Sequence, residues 1–184
     1  MGVRTLMLRR AVFLDRDGVL NKAVTRDGKS YPPSDAARLE VYPEAPEAIA
    51  SLQKAGYLAI CVTNQPDVAR GTRSMDEVTA MNQKVSQAVR LDDVLTCPHD
   101  DTDGCSCRKP KPGMLLSAAA KWRVDLDASW MVGDRKSDIA AGQAAGCKTV
   151  FIDRRYAEGG PDNSADHTCR GVADAAAFIL RNKP

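Results

Sequence analysis

Asp15-Arg16-Asp17-Gly18 places two carboxylates two residues apart, directly after the apolar run Ala11–Leu14. Gly18 permits a tight turn there. Phosphoryl transfer needs a nucleophile, a proton donor for the leaving oxygen and a cation. In this pair Asp15 is placed to attack phosphorus. Asp17 is placed to protonate the leaving alcohol and then to activate water. Two neighbouring carboxylates also attract Mg2+, which prefers a few oxygen ligands and several waters. Taken alone, Asp-x-Asp-Gly is also the sequence of a surface turn.

A second cluster has different chemistry. Cys97-Pro98-His99 is followed, after five residues, by Cys105-Ser106-Cys107. Three thiolates and one imidazole suit tetrahedral Zn2+, and a full set of four leaves no open position, so the metal is read as structural. It would fold a loop that has no core of its own. The spacing is tighter than in the usual zinc finger, and the alternative is a set of reduced thiols without metal. Arg108 and Lys109 follow the last ligand without a gap, so zinc would fix the loop that carries two cations. Cys61, Cys147 and Cys169 lack such neighbours and are read as buried structural cysteines. His167 lies in a polar tail and is read as exposed.

These residues need elements to hold them. Apolar runs at Ala11–Leu14, Tyr57–Val62, Val94–Thr96, Ser129–Val132 and Thr149–Ile152 read as strands. Helical spacing appears over Pro43–Lys54, from Ser74 to about Arg90, and over Pro112–Trp122, Ser137–Ala145 and Val172–Leu180. Ser74 with Glu77 forms a capping-box pattern, and Gly146 closes the fourth helix. Alternating strands and helices predict an α/β fold, a three-layer Rossmann-like arrangement around a parallel sheet. Such sheets bind ligands beyond the carboxyl ends of their strands. Asp15, Thr63, Cys97 and Asp134 each follow a predicted strand. Arg154–Asp166 reads as a surface loop.

Four segments in order carry a family resemblance. Asp15-Arg16-Asp17-Gly18-Val19-Leu20-Asn21, Val62-Thr63-Asn64-Gln65, Arg108-Lys109-Pro110 and Val132-Gly133-Asp134-Arg135-Lys136-Ser137-Asp138 resemble the four motifs of the haloacid dehalogenase superfamily. The resemblance covers roughly residues 10 to 153. It implies a haloacid dehalogenase core and an enzyme, a Mg2+-dependent phosphatase with Asp15 as nucleophile and Asp17 as acid and base. It further implies that Thr63 and Asn64 bind the transferring phosphoryl group and that Lys109 balances its charge. Mg2+ would be held by the Asp15 side chain, the Asp17 backbone carbonyl and Asp134. Asp138 would orient the metal's waters or Lys109. Arg16 and Gln65, inside the first two motifs, join the substrate-binding candidates.

With its zinc loop, the chain resembles the zinc-containing branch, whose members hydrolyse a heptose 1,7-bisphosphate or histidinol phosphate. Lys109-Pro110-Lys111-Pro112-Gly113-Met114 and Val68-Ala69-Arg70-Gly71 favour the heptose compound. The short zinc spacer and Tyr31-Pro32-Pro33-Ser34-Asp35 favour histidinol phosphate, and Pro66-Asp67 departs from the Ser-Gly pair usual in the heptose enzymes. The more remote alternative is a non-enzymatic zinc-loop module that binds a phosphorylated partner. A second phosphate on one sugar needs further cations. Arg108, Arg135, Arg70 and Arg26 are candidates, because arginine holds phosphate by two parallel hydrogen bonds.

The 184 residues predict one domain, with the loop at 97–107 inserted before the third motif. A net charge of +2 gives no pull toward nucleic acid or membrane. No apolar run approaches the roughly 20 residues of a membrane span. The first ten residues lack a signal-peptide core, and Leu6 breaks a myristoylation pattern. The expectation is a cytoplasmic monomer acting on a small phosphorylated sugar, without a cap domain.

Overall fold

The computed structural model describes residues 7–157, 159–160 and 164–183. In chain order the elements are β1 (Arg10–Leu14), β2 (Val24–Arg26), β3 (Lys29–Tyr31), α1 (Ala45–Lys54), β4 (Tyr57–Asn64), α2 (Met75–Val89), β5 (Asp93–Cys97), α3 (Gly113–Trp122), β6 (Trp130–Gly133), α4 (Lys136–Ala145), β7 (Lys148–Ile152), β8 (His167–Cys169) and α5 (Val172–Arg181). Six strands form a parallel sheet in the order β5-β4-β1-β6-β7-β8.

The apolar runs become central strands because both of their faces are covered. In β1, Val12 and Leu14 pack on one side with Ile49 of α1, Val85 of α2 and Ile179 of α5. Ala11 and Phe13 point the other way, against Leu115 of α3 and Ala141 of α4. This period-two alternation makes three layers from one strand. The expected α/β architecture of the haloacid dehalogenase core is therefore present. Between β1 and β4 the regular structure consists of the β2–β3 hairpin and α1, and among the described residues no cap layer stands over the sheet.

Local signals set the helix ends. The Ser74 hydroxyl accepts from the Glu77 amide at 3.2 Å, and the Glu77 carboxylate accepts from the Ser74 amide at 2.7 Å, the reciprocal box expected there. Gly146 ends α4 in the left-handed region at φ +87°.

The structure adds two elements. In the antiparallel β2–β3 hairpin, Asp27 and Gly28 take positive φ. Asp-Gly is a strong turn signal, but its flanks lack alternating apolar residues. Polar β8 pairs with β7 at the sheet edge. This corrects the reading of His167 as an exposed tail residue. Its ring is half-buried, stacked on Phe178 with centroids 3.8 Å apart. Cys61 and Cys147 are buried and Cys169 half-buried, all as free thiols. Glu158 and the segment 161–163 of the expected surface loop lie outside the described residues. The rest of that loop has neither helix nor strand. Among the described residues no helix is long and apolar enough to cross a membrane.

Candidate active site

β1 lies at the centre of the sheet, with the chain leaving toward β4 on one side and β6 on the other. That reversal opens a crevice at the carboxyl ends of the strands. Asp15 sits in it, only 6% exposed. Lys109, reaching in from the loop beyond the cysteines, donates to Asp15 Oδ1 at 2.7 Å and to the Val62 carbonyl at 2.7 Å. Its third contact is Asp138 Oδ1, at 2.6 Å. Asp138 is tied down through its other oxygen, which accepts from the amides of Asp134 and Arg135 at 3.2 and 3.0 Å. Asp138 thus orients Lys109, one of the two roles expected for it.

Asp15, Asp134 and Asp138 each offer an oxygen within 4.8 Å of the others. Asp134 is 2% exposed, and the Tyr156 hydroxyl is the neutral group set against its carboxylate. A buried carboxylate with so little hydrogen bonding is costly unless a cation or proton reaches it. Burial, with Asp15 and Asp138 adding negative charge, holds Asp134 well above the usual carboxylate range. Burial also pushes Asp15 up to about 6, against the opposing pull of Lys109. Lys109 keeps its charge, because Asp138 and Asp15 outweigh the burial that opposes it. Gly18, at φ +92°, permits the close approach of the first-motif turn, since a Cβ there would collide with the Asp134 carboxylate.

Asp17 lines the same cavity but belongs to a different network. Its Oδ1 accepts from Asn21 Nδ2 at 2.9 Å. Its Oδ2 accepts from Arg16 Nη2 at 2.8 Å and from Gln65 Nε2 at 3.0 Å. Burial raises its pKa, but the Arg16 charge and these hydrogen bonds outweigh that and hold it below the ordinary value.

Two substrate-binding expectations need correction. Arg16 is fully buried, turned toward Asp17 and Asn82 and not into the cavity. Gln65, 1% exposed, is occupied by Asp17 and by the Thr63 hydroxyl at 2.9 Å, and it does not line the cavity. Asn64 lines the cavity as expected, and its amide is also paired twice with the Lys109 main chain, at 3.0 and 3.1 Å.

The cavity has a volume of about 450 Å³. Asp15, Asp17, Thr63 and Lys109 form its inner part, and Arg70, Arg108 and Arg135 also line it. Arg70 grips Asp100 with two bonds, at 2.7 and 2.8 Å. Arg108 meets Asp101 at 2.6 Å and the His99 carbonyl at 3.3 Å. Arg135 donates to the Ser30 carbonyl at 2.6 Å, so it also fastens the β2–β3 hairpin over the cavity. Arg26 lines a neighbouring pocket instead.

Cys97, His99, Cys105 and Cys107 converge as their spacing predicts. Separations among the three sulfurs run from 3.1 to 3.7 Å, and His99 Nδ1 lies 3.6 and 3.3 Å from Cys97 and Cys107. Ligands at about 2.3 Å from a tetrahedral Zn2+ stand about 3.7 Å apart, so the quartet fits that ion with little adjustment.

A family model described as HAD-hydrolase-like matches residues 106–175. The D-glycero-β-D-manno-heptose-1,7-bisphosphate 7-phosphatase of Vibrio cholerae is 39% identical, over 80% of this chain and 83% of its own length. The protein of that name from Pseudomonas aeruginosa is 36% identical, over 79% and 82%. The crystal structure of D,D-heptose 1,7-bisphosphate phosphatase from Bordetella bronchiseptica, complexed with magnesium and phosphate, superposes with a TM-score of 0.80. It is 31% identical and covers 94% of this chain and 98% of its own. By its sequence, and by a parallel sheet carrying three of the four motifs at its strand ends and the third in the loop before α3, this chain belongs to the haloacid-dehalogenase-like hydrolases, in the family of these phosphatases.

Proposed function

We propose that the protein hydrolyses the 7-phosphate of D-glycero-β-D-manno-heptose 1,7-bisphosphate with the help of Mg2+. The observation that carries this reading is the buried Asp134 carboxylate, grouped with Asp15 and Asp138 beneath a cavity lined by three arginines. Hard oxygen donors of this kind fit Mg2+. The names of the relatives support the sugar and its anomer.

Asp15 and Asp134 would hold the ion, with the Asp17 carbonyl as the third protein ligand. When bound, Mg2+ offsets charge on the phosphoryl oxygens. Asp15 forms a bond to phosphorus as the bond from phosphorus to the sugar oxygen breaks. The departing oxygen takes a proton from Asp17. Asp17 then removes a proton from a water whose oxygen bonds to phosphorus as the link to Asp15 breaks. The net change is ester plus water to alcohol plus phosphate. Lys109 holds one Asp15 oxygen and leaves the other for attack. Because Asp17 is held ionised in the free site, it acquires its proton only when the anionic phosphoryl group is bound beside it.

Arg108 and Arg70 lie where a second phosphate of the substrate would reach, while Zn2+ on Cys97, His99, Cys105 and Cys107 keeps the Arg108-Lys109 segment in place. The test is phosphate release in Mg2+ from both anomers of the heptose bisphosphate and from histidinol phosphate. Higher kcat/KM on the β anomer is expected. Preference for histidinol phosphate would overturn the substrate assignment. No release from any phosphomonoester would overturn the reaction.

A further inference from the structure

We infer that Asn82, on α2 and outside all four motifs, is a positioning residue that aims the Asp17 carboxylate through Arg16. The inference rests on the phosphatase reading above. Asn82 occupies a core-facing slot: Val78, Met81, Val85 and Val89 are its buried companions on α2. An apolar residue is the ordinary choice at such a position, and a local rule broken in the core points to function.

Asn82 has two partners, each using a different end of its amide. Its Nδ2 donates to the Thr96 hydroxyl at 2.9 Å, and its Oδ1 accepts from Arg16 Nη1 at 2.8 Å. Arg16 decides which way the amide faces, because a flipped amide would oppose an N–H to the guanidinium, and the Thr96 hydroxyl, able to donate or accept, holds the other end of the amide in place. The other edge of the guanidinium grips Asp17 side-on, with Nη2 at 2.8 Å from Oδ2 and Nε at 3.4 Å from Oδ1. A two-pronged grip fixes the plane of a carboxylate as well as its place. The Arg16 side chain has no exposure, whereas Asp17 keeps 14% on the cavity side. A buried arginine is poor value for stability alone, since apolar residues of similar volume do as well or better. This one is anchored at the far end by helix and strand, and its near end touches the group that must face the leaving oxygen.

The position of a proton donor matters in proportion to how much the leaving group needs the proton. An alkoxide from a sugar needs it, a phenolate needs it less, and p-nitrophenolate leaves without it. Asn82→Asp keeps an acceptor for Arg16 and an acceptor for the Thr96 hydroxyl hydrogen, so every polar atom stays paired. It also gives the guanidinium a second carboxylate and draws it off Asp17. Steady-state kinetics in saturating Mg2+ would compare the parent, Asn82→Asp and Thr96→Val on heptose 1,7-bisphosphate, phenyl phosphate and p-nitrophenyl phosphate. For Asn82→Asp we expect kcat/KM, which reports the departure of the alcohol and not the later hydrolysis at Asp15, to fall about tenfold on the sugar ester and to stay within about twofold on p-nitrophenyl phosphate. Phenyl phosphate should lie between them. Thr96→Val should show the same graded pattern more weakly, and it carries the test if Asn82→Asp does not fold. An equal fall in kcat/KM on all three esters, or a change confined to Tm, overturns the positioning role and leaves the phosphatase reading intact. A parent that releases phosphate from none of them overturns both.

Discussion

Withdrawing the divalent cation should destabilise this protein in alkaline solution and hardly at all in acid. Asp15, Asp134 and Asp138 have oxygens within 4.8 Å of one another, and Lys109 is the one cation among the described residues that touches the trio at both Asp15 and Asp138. In the metal-free chain burial lifts Asp15 from 3.8 to about 6 and carries Asp134 in the same direction. Folded-state values above unfolded ones mean that the folded chain binds more protons in this interval. That contribution is present below the unfolded value and is lost as pH rises through about 6. For Asp15, a rise from 3.8 to about 6 corresponds to about 3 kcal/mol. Asp134 adds to this less than independently, because the groups titrate together. Above pH 7 a bound cation does what protons do below pH 5. At about 100 times its Kd, Mg2+ contributes about 2.7 kcal/mol. For a chain of this size about 1 kcal/mol moves Tm by about 2–4 °C, so the expected gap is roughly 5–11 °C. The assay is thermal unfolding by circular dichroism, in EDTA and in excess Mg2+, at intervals from pH 5 to pH 8.5. The gap in Tm should be close to zero at pH 5 and reach its full size by pH 8. Asp134→Asn removes the most frustrated charge, so at pH 8 it should raise Tm in EDTA and shrink the gap. A gap independent of pH, or one that widens in acid, would refute the reasoning.

Lys109→Met removes three donors and leaves Asp15 and Asp138 facing each other. Urea unfolding in EDTA at pH 8 should register a loss of about 3–5 kcal/mol, alongside loss of phosphate release. Unchanged stability would mean that the carboxylates do not depend on this lysine. Cys105→Ser should release zinc, as read by mass spectrometry of the native protein, and unaltered zinc content would remove Cys105 from the ligand set. Arg108→Ala should raise KM for the heptose bisphosphate by roughly 10- to 150-fold, from the loss of a charge-assisted hydrogen bond of about 1.5–3 kcal/mol. It should have little effect on p-nitrophenyl phosphate, and equal effects on the two esters would place Arg108 at the reacting phosphate instead.

The sequence made the floor of the site legible for a physical reason. Strands covered on both faces must be continuous apolar runs, so the polar residue ending each run marks a carboxyl edge. Asp15, Thr63, Cys97 and Asp134 were found this way. The quartet at 97–107 was equally legible, because four soft ligands so close in sequence have few other uses. Direction was not legible. Arg16, Asn64 and Gln65 lie at or just past strand ends, where the alternation that says which way a side chain points runs out, and each proved to pair with another residue of the site or its support. The β2–β3 hairpin and β8 escaped because both are short, polar and peripheral. Their places are set by contacts far away in sequence, such as Arg135 on the Ser30 carbonyl and Thr149 with Asp166. Asn82 could be noticed only as a polar residue on an apolar helix face, and its meaning needed Arg16 beside it.

The same contacts explain why a metal-binding loop belongs next to a phosphoryl site. Lys109 must hold its charge within a cluster of carboxylates, so its backbone has to be fixed more firmly than a surface loop allows. Asn64 pairs with both main-chain groups of Lys109, as a neighbouring strand would. On the other side Lys111 donates to the carbonyls of Gly104 and Cys105, and the Gly113 amide donates to the Ser106 carbonyl at the start of α3. A Cβ at position 113 would run into that carbonyl, so the approach requires glycine. Cys97 ends β5, paired along its length with β4, whereas Cys105 and Cys107 belong to the irregular loop. An ion shared among them would transfer the rigidity of the sheet to the segment that carries Arg108 and Lys109. The eleven residues from 97 to 107 bury little apolar surface beyond the cysteines, so ligand bonds would add to the polar contacts of Arg70, Arg108 and Lys111 in ordering them.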